Sequence, residues 1–325
     1  QRQMCIRDRF SEHVRRQGFF INDKTKIRAF GGPTPKTSIS VGAFDIAFTD
    51  SPNEYLGILF QKNLRLVRHF DARKAKGLKA IGWINARCAR FKCMPWRNER
   101  ILWNAKGWST LTYACEMDPW QTTHPLESIE VQWLRSAFCV GPTASGWALY
   151  WLCGMLPGTF RIWIRGLLFY ASVWKKDASN WERTQMANHW VMFESLTRSG
   201  QDLTEGHTYF HKVRMFWILG MFQVASLTKW TDDNNFLDFR SDDFAKVDAC
   251  VKSLTKHIRF YAQKRMYDYL AYSPKFRLLI GWLPTLGSRP WMSCLSRGRR
   301  TSIARLLTSQ HRLVCETGRW IVPPK

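Results

Sequence analysis

No stretch restricts the fold as tightly as residues 64–91. Val67, Phe70, Ala75, Leu78, Ile81, Ile84, Cys88 and Phe91 recur at steps of mostly three or four. That spacing predicts one long amphipathic helix with these residues inward. Its remaining positions are overwhelmingly basic: Arg65, Arg68, Arg73, Lys74, Lys76, Lys79, Arg87 and Arg90, followed by Lys92, with Asp71 as the lone acid. A solvated surface helix normally mixes signs to gain pairs at i and i+4. This one does not, which favours a phosphate-facing helix over a merely soluble face. Arg65, Arg68, Arg73, Lys74, Lys76, Lys79 and Arg87 are therefore candidate nucleic-acid contacts.

The whole chain shares that imbalance. Its 325 residues carry 49 Lys and Arg against 25 Asp and Glu, a formal net charge of +24. Such an excess repels itself in a compact state unless a polyanion or an anionic surface is the partner. There are also 17 Trp and 21 Phe. Cations interleaved with aromatics suit nucleic acid, because phosphates take cations and unpaired bases take stacking surfaces. With 45% hydrophobic residues the chain can bury a core and is long enough for two domains. The 9 cysteines include no Cys-x-x-Cys pair. Cys88 and Cys93 fall on one predicted helix with no histidine nearby. This argues against a zinc site and a disulfide framework, and favours a reducing intracellular compartment. His207 and His211 share a predicted helix face without a third ligand. Gln1 to Arg9 is short, charged and without an apolar centre, so it reads as a non-native leader rather than a signal peptide.

In order along the chain, Phe19–Ile21 and Ile27–Phe30 are short apolar runs reversed at Asn22-Asp23, and Gly31-Gly32-Pro33 breaks the pattern. Ile39, Val41, Phe44, Ile46 and Phe48 predict a hairpin around Gly42, and Tyr55 to Phe60 a last strand. After the basic helix, Pro95 opens a second, from Trp96 to about Met117, with Ile101, Ala105, Trp108, Leu111 and Cys115 inward. A third runs from Leu126 to Cys139 through Ile129, Trp133, Leu134 and Ala137, which makes a bundle. Trp147–Trp174 and Met215–Thr228 are apolar. Pro157, Arg161 and Arg165 interrupt the first, and the second falls short of the ~20 residues a bilayer needs, so both read as buried helices. Ser241 is expected to cap a helix with Asp242 and Asp243 in its first turn and Phe244, Val247, Val251, Leu254, Ile258 and Tyr261 inward. Ser273-Pro274 closes the helical region. The tail from Arg297 to Lys325 is basic, with a helix through Ile303, Leu306 and Leu307.

Two short pieces carry a resemblance. Gly18-Phe19-Phe20-Ile21-Asn22-Asp23-Lys24-Thr25, followed some thirty residues on by Tyr55-Leu56-Gly57, resembles reverse transcriptases of non-LTR (LINE-type) retrotransposons. Trp133-Leu134-Arg135, Thr143, Ala148-Leu149-Tyr150, Gly154, Leu156-Pro157, Arg161-Ile162, Arg165 and Leu168-x-Tyr170 follow the order such proteins show after the thumb. Trp151 and Cys153 depart from it, standing where charged residues are common. The resemblance implies an α+β, mostly α fold: a small N-terminal antiparallel sheet as palm remnant, then a thumb-like helical bundle and further helices. The implied divisions are a leader at 1–9, palm remnant at 10–62, thumb-like bundle at 63–140, post-thumb helical region at 141–275 and basic tail at 276–325. It also implies a hairpin at Tyr55, Leu56 and Gly57, places that hairpin and Lys24 near a primer end, and makes Lys26 a further nucleic-acid-binding residue.

In that family, RNA-directed DNA polymerisation uses Mg²⁺ held by carboxylates that precede the Asn-x-x-Lys-Thr turn. Here Asp232-Asp233 and Asp242-Asp243 come after the thumb, in the wrong order. The expected chain is thus an inactive part of such an enzyme, beginning mid-gene. It would hold no cofactor or metal of its own, grip an RNA–DNA duplex, and partner RNA, DNA and the absent palm and fingers. Its expected location is intracellular, nuclear or in a nucleoprotein, with no membrane partner. Three other readings stand beside it. One is a non-catalytic, basic helical RNA- or DNA-binding protein without polymerase ancestry. Another is a peripheral membrane protein meeting anionic lipid. The last is a decayed reading frame.

Overall fold

The computed structural model describes residues 38–41, 44–46, 53–55, 57–60, 66–90, 94–117, 123–198, 243–287, 289 and 291–308. They are mostly helical. The chain divides into two compact units, Gln1–Ala72 and Arg73–Lys325. Lys24, Lys26, Leu56, Arg65, the predicted turn at Asn22-Asp23, the His207/His211 pair and Met215–Thr228 lie outside the described residues.

In the first unit, β1 (Ile39–Val41) and β2 (Phe44–Ile46) pair antiparallel with Val41 opposite Phe44, the hairpin expected around Gly42. β3 (Asn53–Tyr55) and β4 (Ile58–Phe60) form a second two-stranded ribbon with Tyr55 opposite Ile58. The run from Tyr55 to Phe60, expected as one strand, is thus divided by a turn at the Tyr-Leu-Gly motif, where the resemblance implies a hairpin. Gly57 takes a φ of 78° there, where a side chain with a Cβ would cost roughly 1–2 kcal/mol. The backbone N–H of Leu59 donates to Nδ1 of the buried His69 at 3.3 Å, which ties β4 to the first turn of the next helix.

That helix, α1 (Val67–Arg90), runs on into the second unit. Phe70, Ile81, Ile84 and Cys88 are buried as expected, but Val67, Ala75 and Leu78 are exposed. His69, Arg73, Gly77 and Ala80 take the inward positions instead. Gly77 allows a close approach, since a Cβ there would stand 2.9 Å from Leu111 and 3.3 Å from Ile129.

α2 starts after Pro95 as Trp96–Leu102, passes through a π-helical stretch Trp103–Trp108 and closes at Ser109–Leu111. A 3₁₀ turn follows at Cys115–Met117. Beside the buried Thr112, the inward positions are Trp96, Glu99, Trp103, Gly107, Leu111 and Cys115. From Glu99 onward they recur every four residues, because the wider π turn rotates the inward face more slowly. Ile101 and Ala105, expected inward, are consequently exposed.

α3 (Thr123–Ala137) buries Leu126, Ile129, Trp133, Leu134 and Ala137 as expected, and Glu130 with them. The long apolar stretch is two helices, α4 (Gly146–Cys153) and α5 (Gly158–Trp174), joined through Pro157. α4 is buried on every side from Ala148 to Cys153, as a helix apolar all round must be. Trp151 and Cys153 are both inside, and the Trp151 indole donates to the Leu283 carbonyl at 2.6 Å. Among the described residues no helix is long and apolar enough to cross a membrane.

Beyond α6 (Trp181–Arg198), α7 (Phe244–Tyr272) lays Val247, Val251, Leu254, Ile258 and Tyr261 against Phe160, Leu167, Tyr170 and Trp174 of α5. Its N-cap is Asp243, whose side chain accepts from the Ala245 N–H at 2.9 Å, not Ser241. Helix φ/ψ thus begin at Phe244, which stays exposed. Ser273 ends α7, yet helical structure continues: a 3₁₀ turn at Pro274–Phe276, then α8 (Arg277–Trp282), α9 (Trp291–Cys294) and α10 (Arg297–Leu307).

Candidate nucleic-acid interface

Helical geometry sorts the basic residues of α1 into three directions. Lys76, Lys79, Arg87 and Arg90 are exposed, and with Trp83 they recur at steps of three and four along one side. The Arg87 guanidinium stands 5.1 Å from the centre of the exposed Trp83 ring, so cation and aromatic surface are presented together. Lys74 points another way and lines a groove. Arg73, only 9% exposed, turns inward over the Tyr113 ring at 4.3 Å. Arg68, in the first turn of the helix, is exposed. Of the residues tied to the Tyr-Leu-Gly motif, Tyr55 is the last residue of β3 and Gly57 sits in the turn.

The groove has a volume of about 940 Å³ and runs between α1 and α3. Lys74, Leu78 and Asn85 form one wall, Gln132 and Arg135 the other, and Arg297 of α10 one end. Among the described residues no acidic side chain lines it. Arg135 is fixed by donating through Nε and Nη2 to the Ala144 carbonyl at 3.1 and 2.8 Å, and burial lowers its pKa. Arg297 donates from Nη2 to the Ser136 carbonyl at 3.4 Å, near the C-terminus of α3, where the helix dipole favours a cation. The sequence reading missed Asn85, Gln132, Arg135 and Arg297 as groove residues. The signal was weak: Arg135 stood out only within Trp133-Leu134-Arg135, and Arg297 only as the start of a basic tail.

The thiol on the inner face of α1 is inert. Burial, reinforced by the nearby Glu99 carboxylate, pushes the Cys88 pKa up to about 11, so the nucleophilic thiolate is scarce. Among the described residues no group of three or more His, Cys, Asp or Glu is placed to hold a metal ion. Those residues do not fit a two-metal polymerase centre. Compared with known protein families, curated proteins and solved structures, the chain matches none.

Proposed function

We propose that this chain is a basic, mostly helical nucleic-acid-binding protein that grips phosphate backbone along α1. More specifically, it is read as the part of a LINE-type reverse transcriptase comprising the end of the palm, the thumb and the post-thumb helices. It acts as a clamp on an RNA–DNA duplex rather than as the polymerase centre, and works inside the nucleus or a nucleoprotein. The observation that carries the reading is the single-sign surface: Lys76, Lys79, Arg87 and Arg90 on one side of α1, beside a groove with Lys74, Arg135, Arg297 and no acid among the described residues. A solvated face would be expected to interleave acids.

A salt titration of fluorescence anisotropy tests it, using the parent and a Lys74→Gln/Lys76→Gln/Lys79→Gln variant. Each neutralised phosphate contributes a log–log slope of roughly −0.7 to −0.9. The variant should bind duplex and single strand more weakly and flatten the slope by about two to three units, with little change in sequence preference. Helicity should persist, because Gln is nearly as good a helix former as Lys. An unchanged slope with intact helicity would remove nucleic acid from this face. Liposome binding that survives excess RNA would point to anionic lipid instead.

A further inference from the structure

Arg100, Arg161 and Arg259 come from three different helices, α2, α5 and α7, and line one pocket of about 330 Å³. The link between α4 and α5 closes it, with Gly154 and Leu156 in the wall, and among the described residues no acidic side chain lines it. Arg161 is held rigidly. Its Nη1 donates to Glu130 Oε1 at 2.9 Å, and its guanidinium lies 3.6 Å from the centre of the Trp108 ring. Arg100 and Arg259 form no ion pair with the described residues. With Glu130 set against Arg161, two positive charges face the pocket uncompensated by any described residue. Their mutual repulsion is relieved by an anion of charge minus two, and guanidiniums match phosphate oxygens in geometry as well as sign. Gly154, Leu156-Pro157 and Arg161 are also the post-thumb pieces to which the resemblance gave an order but no role.

We propose that this pocket binds a phosphomonoester dianion, with Arg161 as the fixed fork and Arg100 and Arg259 as the charge. The site shares no described lining residue with the α1 groove, and it stands or falls independently of nucleic-acid binding there. Two sources share this chemistry: a small phosphate compound and the 5′-terminal phosphate of a nucleic-acid strand.

Calorimetric titration of the full chain with inorganic phosphate, at mildly alkaline pH where it is a dianion, reads the site directly. Saturable one-to-one binding is expected, weakened about tenfold by Arg100→Gln and by Arg259→Gln, as loss of a charge-assisted hydrogen bond implies. Arg259 is exposed, so Arg259→Gln keeps the fold and stays informative even if Arg100→Gln does not. The Lys74→Gln/Lys76→Gln/Lys79→Gln variant should bind phosphate like the parent. Absence of saturable binding, or binding unaffected by both arginine variants, overturns the proposal. A second arm compares one oligonucleotide with a 5′-phosphate and with a 5′-hydroxyl. A preference for the phosphate that disappears in Arg259→Gln assigns the strand terminus. Equal affinities alongside phosphate binding assign a small phosphate compound.

Discussion

Two glutamate–arginine pairs in the helical unit, each with a buried glutamate, are built from the same charges and held in opposite ways. Glu130, fully enclosed, accepts from Trp103 Nε1 at 3.0 Å and Arg161 Nη1 at 2.9 Å on one oxygen, and from the Tyr150 hydroxyl at 2.9 Å on the other. Its donors come from α2, α5 and α4, so one carboxylate on α3 fixes four helices. Burial, then the Glu130 charge, raises the Tyr150 pKa well above normal, keeping the phenol a donor. Glu99 and Arg300 are each 1% exposed and meet through one 3.3 Å hydrogen bond. Glu99 Oε1 and Arg300 Nε have no hydrogen-bond partner among the described residues; the nearby Cys88 thiol is at best a weak donor. Burial raises the Glu99 pKa in spite of Arg300 and Arg297. The contrast teaches that completeness of hydrogen bonding, rather than the presence of an ion pair, separates a buried charge that organises a core from one that burdens it.

The largest effect is expected at the complete node. Glu130→Ala would leave the Arg161 charge, the Trp103 N–H and the Tyr150 hydroxyl without their acceptor. It should cost about 3–5 kcal/mol, the usual penalty for breaking a buried pair. Urea unfolding followed by tryptophan fluorescence reads this as a lower midpoint, with Trp103 and Trp133 stacked 4.5 Å apart beside the node as reporters. A loss below about 1 kcal/mol would put Glu130 on a par with an ordinary surface substitution and erase the contrast.

The incomplete pair should behave in the opposite sense. Replacing both partners, Glu99→Met with Arg300→Met, is expected to be neutral or to stabilise by about 1–4 kcal/mol, because both desolvation penalties disappear while volume is kept. The pH dependence follows from the raised Glu99 pKa. The native state holds that proton more tightly than the unfolded chain does. Stability is therefore lost as pH climbs from the ordinary glutamate value through the raised one. Glu99→Gln carries no such proton, so its melting temperature relative to the parent should rise across that window. A series between about pH 4 and 8, around the ordinary carboxyl and imidazole range, checks it. A pH-independent difference would show that Glu99 titrates normally.

These polar positions were the least legible part of the sequence. The inward faces of α3 and α7 follow plain helical periodicity, and Leu126 to Ala137 and Val247 to Tyr261 could be read from it. α2 could not, because nothing in Trp103–Trp108 announces a π turn, and the phase error put Ile101 and Ala105 inside. Glu99, Glu130, Arg73 and Arg300 look outward by hydropathy. Their burial depends on partners brought together by folding, as when Arg300 meets Glu99 from 201 residues away. The cap of α7 was ambiguous for a different reason: Ser241, Asp242 and Asp243 are all good caps, and only backbone geometry chooses Asp243. For the candidate interface, the exposure of Lys76, Lys79 and Arg87 follows helix phase. The groove depends on α3 and α10 and could not be read from α1.

The smallest effect concerns how two helices joined to these sites end. α3 and α4 close with the same cap. Val140 N–H reaches the Arg135 carbonyl at 3.0 Å and Cys139 N–H the Ser136 carbonyl at 3.2 Å; Met155 N–H reaches Tyr150 at 2.9 Å and Gly154 N–H reaches Trp151 at 3.1 Å. Each needs a left-handed residue, at φ 48° for Cys139 and 63° for Gly154. Gly154, beside the complete node, meets that demand without a Cβ. Cys139, at the end of α3 where Arg297 and Arg305 donate to the last carbonyls, meets it under strain. Cys139→Gly should relieve roughly 1 kcal/mol of left-handed strain, part of it offset by the greater freedom of glycine in the unfolded chain. The expected net gain is about 0.5 kcal/mol. Gly154→Ala should lose about 1 kcal/mol for the converse reasons. Thermal melts of the two variants in one buffer compare them directly. If Cys139→Gly destabilised as much as Gly154→Ala, the cysteine side chain would be contributing packing that outweighs its backbone strain.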